Sequence, residues 1–233
     1  MPRRHYYLLC ALPALKDLGS PPPLKKSEFV TLVHECGGPE SKVQALLLSD
    51  DLLQREAVFC NEIEVGEGDF ACLTVSQALG DQPLPWFLIS EGFDEEAVPA
   101  DMPPVDMIWR RYFFHVDTVA RRLGSPLLAR WVGHEVGLRN ALARARADAL
   151  SLDPRPYLVA EELGDPASAF DRELDDWKRA PHPLAGLEVL EKHRWDWLTD
   201  QEPWYDFGDD EVVAYSAKLM VLVRRQRMFR DNV

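Results

Sequence analysis

Apolar residues recur at spacings of three and four through the second half of the chain, and that period predicts helices. Trp109, Phe113, Val116, Ala120 and Leu123 define one helical face. Gly124 is placed to close that helix. Ser125 and Pro126 open the next one, with the serine at the cap and the proline at the first helical position. Leu128, Trp131, Leu138, Leu142, Ala145 and Ala149 mark the inward face of a long helix over 126–149. Shorter helices are expected from Asp153-Pro154 toward Leu163 and from Ala167 to Lys178, the latter through Phe170, Leu174 and Trp177. Another carries Leu184, Leu187, Leu190, Trp195 and Leu198. Asp209 or Asp210 caps a final helix over 211–230, with Val212, Tyr215, Leu219, Leu222 and Val223 inward. The connections are short, which makes consecutive helices antiparallel neighbours.

The first half is less regular. Tyr6 to Leu12 is too short for periodicity to assign. Two arginines before this apolar run imitate a secretory signal, but Pro13 stops the run and no small-x-small pattern follows, so an extended or early core segment is expected. Ser20-Pro21-Pro22-Pro23 is a stiff break. Ser27 caps a short helix to about Cys36, and Gly37-Gly38-Pro39 ends it. A helix from Glu40 to Ala57 carries Val43, Leu46, Leu47, Leu53 and Val58 on its apolar stripe, with Asp50 and Asp51 on the wet side. Around Ile63 and Val65 the acids alternate with apolar residues before Gly66 and Gly68, which fits a short strand and turn or a solvated acidic loop. Phe70 to Leu79 fits one more short helix. Pro83, Pro85, Pro99, Pro103 and Pro104 then punctuate an acidic connection. The expectation is a mainly α, multi-helix bundle of antiparallel amphipathic helices in one or two units, with at most a minor strand element in the N-terminal half. Its units would be an N-terminal helical unit over 1–104 and a C-terminal bundle over 105–233.

Charge narrows the partners. The formal net charge is −13. A field of that sign repels phosphate backbones and anionic headgroups, which disfavours nucleic acid and direct lipid binding. No run approaches the roughly 20 apolar residues of a membrane span, so no direct membrane insertion is expected. Cys10, Cys36, Cys60 and Cys72 are widely spaced without a CxxC pair, as befits reduced, buried thiols in a cytosolic protein. Positive charge gathers in the final helix at Lys218, Arg224, Arg225, Arg227 and Arg230. Those cations either complement the helix dipole or dock on a partner protein.

Candidate chemistry is sparse. The chain has no P-loop, no GxGxxG after a strand, no GxSxG and no EF-hand loop. His134-Glu135 begins an HExxH pattern, but Leu138 stands where the second histidine is required. Glu135 interrupts the apolar stripe between Trp131 and Leu138, and a carboxylate there needs a partner. Arg139 follows at i+4, as Arg121 follows Asp117, and Asn140 is placed to satisfy a further element. These pairs read as register-fixing ion pairs; the alternative is an enzyme pocket between helices around Glu135, Asp117, His115 and His134. No catalytic residue, metal or cofactor is expected. Trp177, Trp195 and Trp197 suit core packing, whereas Trp204-Tyr205-Asp206-Phe207 lies in a loop. Trp204, Tyr205 and Phe207 are therefore candidate apolar anchors for a partner.

Several stretches together resemble a known family. They are Tyr6-Tyr7-Leu8-Leu9 with Ala11-Leu12-Pro13, Gly137-Leu138-Arg139-Asn140-Ala141-Leu142 with Arg146-Ala147, Arg194-Trp195-Asp196-Trp197-Leu198, and Ala214-Tyr215 with Lys218-Leu219. The chain resembles a bacterial family of uncharacterised proteins encoded with the subunits of V-type (A-type) ATPases. More distantly it resembles the connector subunit of those ATPases, the all-helical funnel that links the central stalk to the membrane rotor ring. The chain has room for about two of the three helical units of that connector, and Lys218 stands where an acidic residue is expected. The resemblance implies a non-catalytic accessory or central-stalk role in ion transport, in the cytoplasm or at the inner face of the membrane. Its partners would be other ATPase subunits, stalk or rotor ring. Arg224, Arg225, Arg227 and Arg230 would then supply electrostatic docking, and Trp204, Tyr205 and Phe207 apolar anchoring.

Overall fold

The computed structural model describes residues 4–62, 68–89 and 101–230, with backbone alone at Arg230. Its helices are α1 (Tyr6–Ala11), α2 (Lys26–Glu35), α3 (Glu40–Phe59), α4 (Val75–Leu79), α5 (Trp86–Ile89), α6 (Pro104–Leu123), α7 (Pro126–Leu150), α8 (Asp171–Arg179), α9 (Pro183–Gln201) and α10 (Asp209–Arg230). Two 3-10 turns lie between α7 and α8, and no strand forms among the described residues. The mainly α, multi-helix fold expected from the apolar period is the fold observed. No helix among the described residues is long and apolar enough to cross a membrane.

Contacts divide the chain into two compact units, one formed by 1–82 with 180–233 and the other by 83–179. This replaces the boundary expected at residue 104. The first crossing falls where the proline-punctuated connection begins, but α10 packs on α2 and α3, and α9 on α10, so both belong to the unit of the N-terminal helices. The question of strand or loop over 63–67 falls outside the described residues.

In the first unit α3 is central. It packs on α2, α4 and α10, and α10 packs in turn on α2 and α9. Surrounded this way, α3 has no wet face over its middle turns: between Val43 and Leu52 every residue but Gln44 is buried. Leu8 makes the Tyr6–Ala11 segment an early core element, as expected, although it is helical rather than extended. Phe29 on α2 stacks on Tyr215 of α10 with ring centroids 5.3 Å apart. The Tyr215 hydroxyl donates to the Pro13 carbonyl at 2.8 Å, and burial pushes its pKa up. The helix expected over 70–79 shrinks to Val75–Leu79. Thr74 caps it through a 3.2 Å bond from the Gln77 amide, and the preceding amides are committed elsewhere, as described below.

The second unit is built on the α6–α7 pair. The expected stripes are the observed core. Trp109, Phe113, Val116 and Ala120 are buried on α6, and Leu128, Trp131, Leu138, Leu142 and Ala145 on α7, while Leu123 and Ala149 at the helix ends are exposed. Gly124 closes α6 in the left-handed region at φ 66°. Ser125 caps α7, its Oγ accepting from the Leu128 amide at 3.3 Å, with Pro126 at the first position. Removing this cap by Ser125→Ala is expected to lower stability by about 1 kcal/mol. A chemical-denaturation midpoint unmoved by the substitution would show the cap to be idle.

No continuous helix forms between Asp153 and Leu163; two 3-10 turns, Arg155–Tyr157 and Glu161–Leu163, replace it. The cause is Asn140. Its Nδ2 donates to the Val159 carbonyl at 2.9 Å, and its Oδ1 accepts from the Val159 amide at 2.8 Å. Both backbone groups of Val159 are thereby withdrawn from any helical ladder. Ala160 follows with φ 48°, a left-handed geometry that breaks the run.

Candidate functional site

Two of the arginines expected to dock a partner, Arg224 and Arg227, point inward. Arg224 Nε donates to Asp50 Oδ1 at 2.8 Å, and its Nη2 donates to Ser49 Oγ at 3.0 Å. Arg227 Nη2 donates to the same Asp50 oxygen at 2.6 Å. Arg225 pairs with Glu188 at 2.9 Å and lies over the Phe229 ring. The Arg230 side chain lies outside the described residues. These pairings correct the expectation of a basic docking face: one turn of α10 places Arg224 and Arg227 opposite a carboxylate that α3 has already buried.

Asp50 and Asp51 are themselves the larger correction. Both are expected on the wet side of α3, yet both are 0% exposed, as is Lys26. Lys26 Nζ lies 2.5 Å from Asp50 Oδ2 and 3.1 Å from Asp51 Oδ1. Gln54 Nε2 adds a bond to Asp50 Oδ2 at 3.1 Å. Asp51 turns its carboxylate to the loop before α4, accepting from the amides of Ala71, Cys72 and Leu73 at 3.1, 2.6 and 2.9 Å. Those three bonds tie the 71–73 backbone to α3, and the helix begins only at Val75. Asp69 completes the arrangement by accepting from the Lys26 and Ser27 amides at the start of α2.

The electrostatics follow from the geometry. Burial alone would push the Asp50 carboxyl up, but Lys26, Arg227 and Arg224 together hold it far below the usual carboxylate range. Lys26 is held above its ordinary value by the same two aspartates, against the cost of its burial. Burial pushes Asp51 up, opposed by Lys26 and the three amides. Buried charges repay their desolvation only when geometry and hydrogen bonding are both good. Here one carboxylate joins cations from α2 and α10 to the middle of α3. The cluster thus fixes the register of three helices, a task that apolar side chains of equal volume leave unspecified.

Beside the cluster lies a cleft of about 920 Å³, lined among others by Lys25, Glu28, Asp69, Phe70, Val223 and Arg227. Its polar lining is mixed in sign.

Trp204 is 65% and Tyr205 80% exposed, while Phe207 is half-buried and packs on Tyr6 of α1 with ring centroids 4.6 Å apart. Tyr205 and Phe207 take φ values of 59° and 54°. Bulky residues avoid that region, at roughly 1–3 kcal/mol each, unless the surroundings impose it. They do so here. The His5 amide donates to the Phe207 carbonyl at 2.7 Å, and the Phe207 amide donates to Glu211 at 2.6 Å. His5 Nε2 and Lys42 Nζ both engage Asp209, at 2.7 and 2.8 Å. Lys218 pairs with Glu202 at 2.5 Å and lies over the Trp195 ring, 5.1 Å from its centroid.

In the second unit the residues of the enzyme alternative have other engagements. His115 stacks on Phe87 with ring centroids 3.8 Å apart, and burial lowers its pKa. Asp117 pairs with Arg121, as expected. Glu135 lies 3.4 Å from His134 Nδ1. Arg139 donates to Asp106 at 2.8 Å and lies over the Trp109 ring. A cleft of about 360 Å³ in this unit is lined by Asn140, Arg144, Glu161, Asp165 and Phe170, among others, and by neither His115, Asp117 nor Glu135. Among the described residues no three His, Cys, Asp or Glu side chains are grouped to hold a metal ion.

The cysteines are unpaired as thiols, but Cys10 and Cys60 are exposed where burial is expected. Cys10 is on α1, whose core contact is Leu8, and Cys60 caps the end of α3. Cys72 donates to the Gln44 carbonyl at 3.3 Å, and burial beside Asp51 pushes its thiol pKa up.

Sequence reasoning misses the charge cluster for one reason. Asp50 follows Leu46 by four and Leu47 by three, which places it on the apolar stripe. That spacing is the available signal. Compared with protein-family models, curated proteins and solved structures, the chain matches none.

Proposed function

We propose that the chain is a non-catalytic accessory or central-stalk component of a V/A-type rotary ATPase, akin to its helical connector, coupling or assembling the soluble and membrane parts. The resemblance of the two terminal stretches and of Gly137–Leu142 to that family supports the reading. The observation that carries it is the aromatic corner: Trp204 and Tyr205 stand exposed on a loop whose backbone is held by bonds from α1 and α10. Large aromatics on a preorganised loop bind a protein partner at low entropic cost.

The expected result is that the full chain, tagged and recovered from its own host, brings down stalk or rotor-ring subunits in constant ratio. Trp204→Ala combined with Tyr205→Ala should abolish that recovery, since an anchor of this kind contributes about 2 kcal/mol or more per residue. Recovery of the chain alone, from cells whose ATPase assembles normally without it, would overturn the proposal.

A further inference from the structure

Between Trp195 and Ala217 the sequence carries seven acidic residues and no lysine or arginine. This stretch contains the whole aromatic loop and the first turns of α10. Several of its acids are committed internally: Asp196 to Lys192, Glu202 to Lys218, Asp209 to His5 and Lys42, and Glu211 to the Phe207 amide. Asp200 and Asp206 are exposed at either end of the loop. Arg4 lies beside the loop, its guanidinium donating to the Tyr6 hydroxyl at 3.0 Å and feeling Asp206. Tyr6 is half exposed and packs at a tilt against Phe207, so the N-terminal helix extends the corner.

We infer that this corner receives a lysine- or arginine-rich segment of a partner protein, with cations over the Trp204 and Tyr205 rings and ion pairs to Asp200 and Asp206. The inference rests on the partner-binding reading above and adds the chemistry of the partner. Charge complementarity decides the occupant. Exposed aromatic faces attract cations, and flanking carboxylates reinforce that attraction while repelling an acidic partner. A second copy of this chain would bring the same acidic loop against itself. Among the described side chains, the arginines of α10 are already engaged, Arg224 and Arg227 by Asp50 and Arg225 by Glu188.

The test is photo-crosslinking of the full chain in its own host, with benzoylphenylalanine at position 205 in one sample and position 6 in another. The expected result is that both positions capture one partner segment of net positive charge. Asp200→Asn with Asp206→Asn should weaken binding of that partner roughly tenfold at low ionic strength and far less at high salt. Trp204→Ala should weaken it roughly 30-fold at both. Capture of a second copy, of an acidic or uncharged segment, of different partners at the two positions, or of nothing would overturn the inference, as would a salt-independent affinity. A cationic segment from a protein outside the ATPase would leave the inference standing and remove the ATPase reading. An ATPase subunit captured through a segment without cations would do the reverse.

Discussion

Asp50→Asn should destabilise the unit containing α3 and α10 by about 3–5 kcal/mol, the range found when one partner of a buried ion pair is removed. Asparagine keeps the shape of the side chain, so packing is preserved, but it loses the charge and turns one acceptor oxygen into a donor facing other donors. Lys26, Arg224 and Arg227 would then face one another with Asp51 as the remaining buried carboxylate among them. Hydrogen exchange should locate the loss in the amides of α2, α3 and α10, leaving those of α6 and α7 protected as before. Acid should report the same group. The folded pKa of Asp50 is depressed, so its contribution is complete above the unfolded value near 4 and fades as pH falls through the much lower folded value. Stability of the parent protein should therefore drop with acid below about pH 4, and Asp50→Asn should flatten that limb. Asp51, whose pKa is raised, titrates in the opposite sense, so the difference between parent and variant isolates Asp50. Equal acid limbs in the two proteins would mean that the cluster does not hold Asp50 ionised.

Asn140→Ala should be the most damaging small change in the second unit. Asn140 and Val159 are both buried, and the side chain supplies both partners of the Val159 peptide groups. Truncation orphans a buried amide and a buried carbonyl at roughly 1–3 kcal/mol each, for a total of about 2–5 kcal/mol. The segment 155–163 should lose protection first, because that backbone has no helical ladder to fall back on. Asn140→Asp keeps the acceptor for the Val159 amide but sets a buried carboxylate oxygen against the Val159 carbonyl, so it should be no better tolerated than alanine. A loss well below that of alanine would show that the Val159 carbonyl needs no donor.

The legible parts of this fold are those where one helix has one wet side. The stripe on α6 and the cap and stripe on α7 follow from spacing and from Gly124-Ser125-Pro126, and they appear where expected. Illegible parts are those decided by distant residues. Asp50 is taken for a solvated acid because of its charge, although its spacing puts it on the apolar stripe; the cations that allow its burial come from α2 and from Arg224 on α10, 174 residues away. The same cause misplaces the arginines, whose position near a helix end suggests a surface. Val159 shows the effect from the other side: the local pattern favours a helix, and one asparagine on a neighbouring helix takes its hydrogen bonds. The aromatic loop is legible because it lacks periodicity, so three rings there have no helical face to join. The left-handed backbone at Tyr205 and Phe207 leaves no trace in the sequence, since neither is a glycine.

The interruption of the first unit by the second sets an order of events during synthesis. Residues 83–179 are contiguous and can complete their own fold as soon as they leave the ribosome. Residues 1–82 cannot, because the helix that neutralises Asp50 is translated after all of them. Until α10 arrives, α3 carries a carboxylate answered by Lys26 alone and an apolar flank without its cover. Closing a loop of that length is slow compared with local helix formation, and exposed apolar surface in the interval invites aggregation. Nascent chains stalled before α10 should therefore need chaperone protection, whereas chains stalled after residue 179 should already show the second unit resistant to protease.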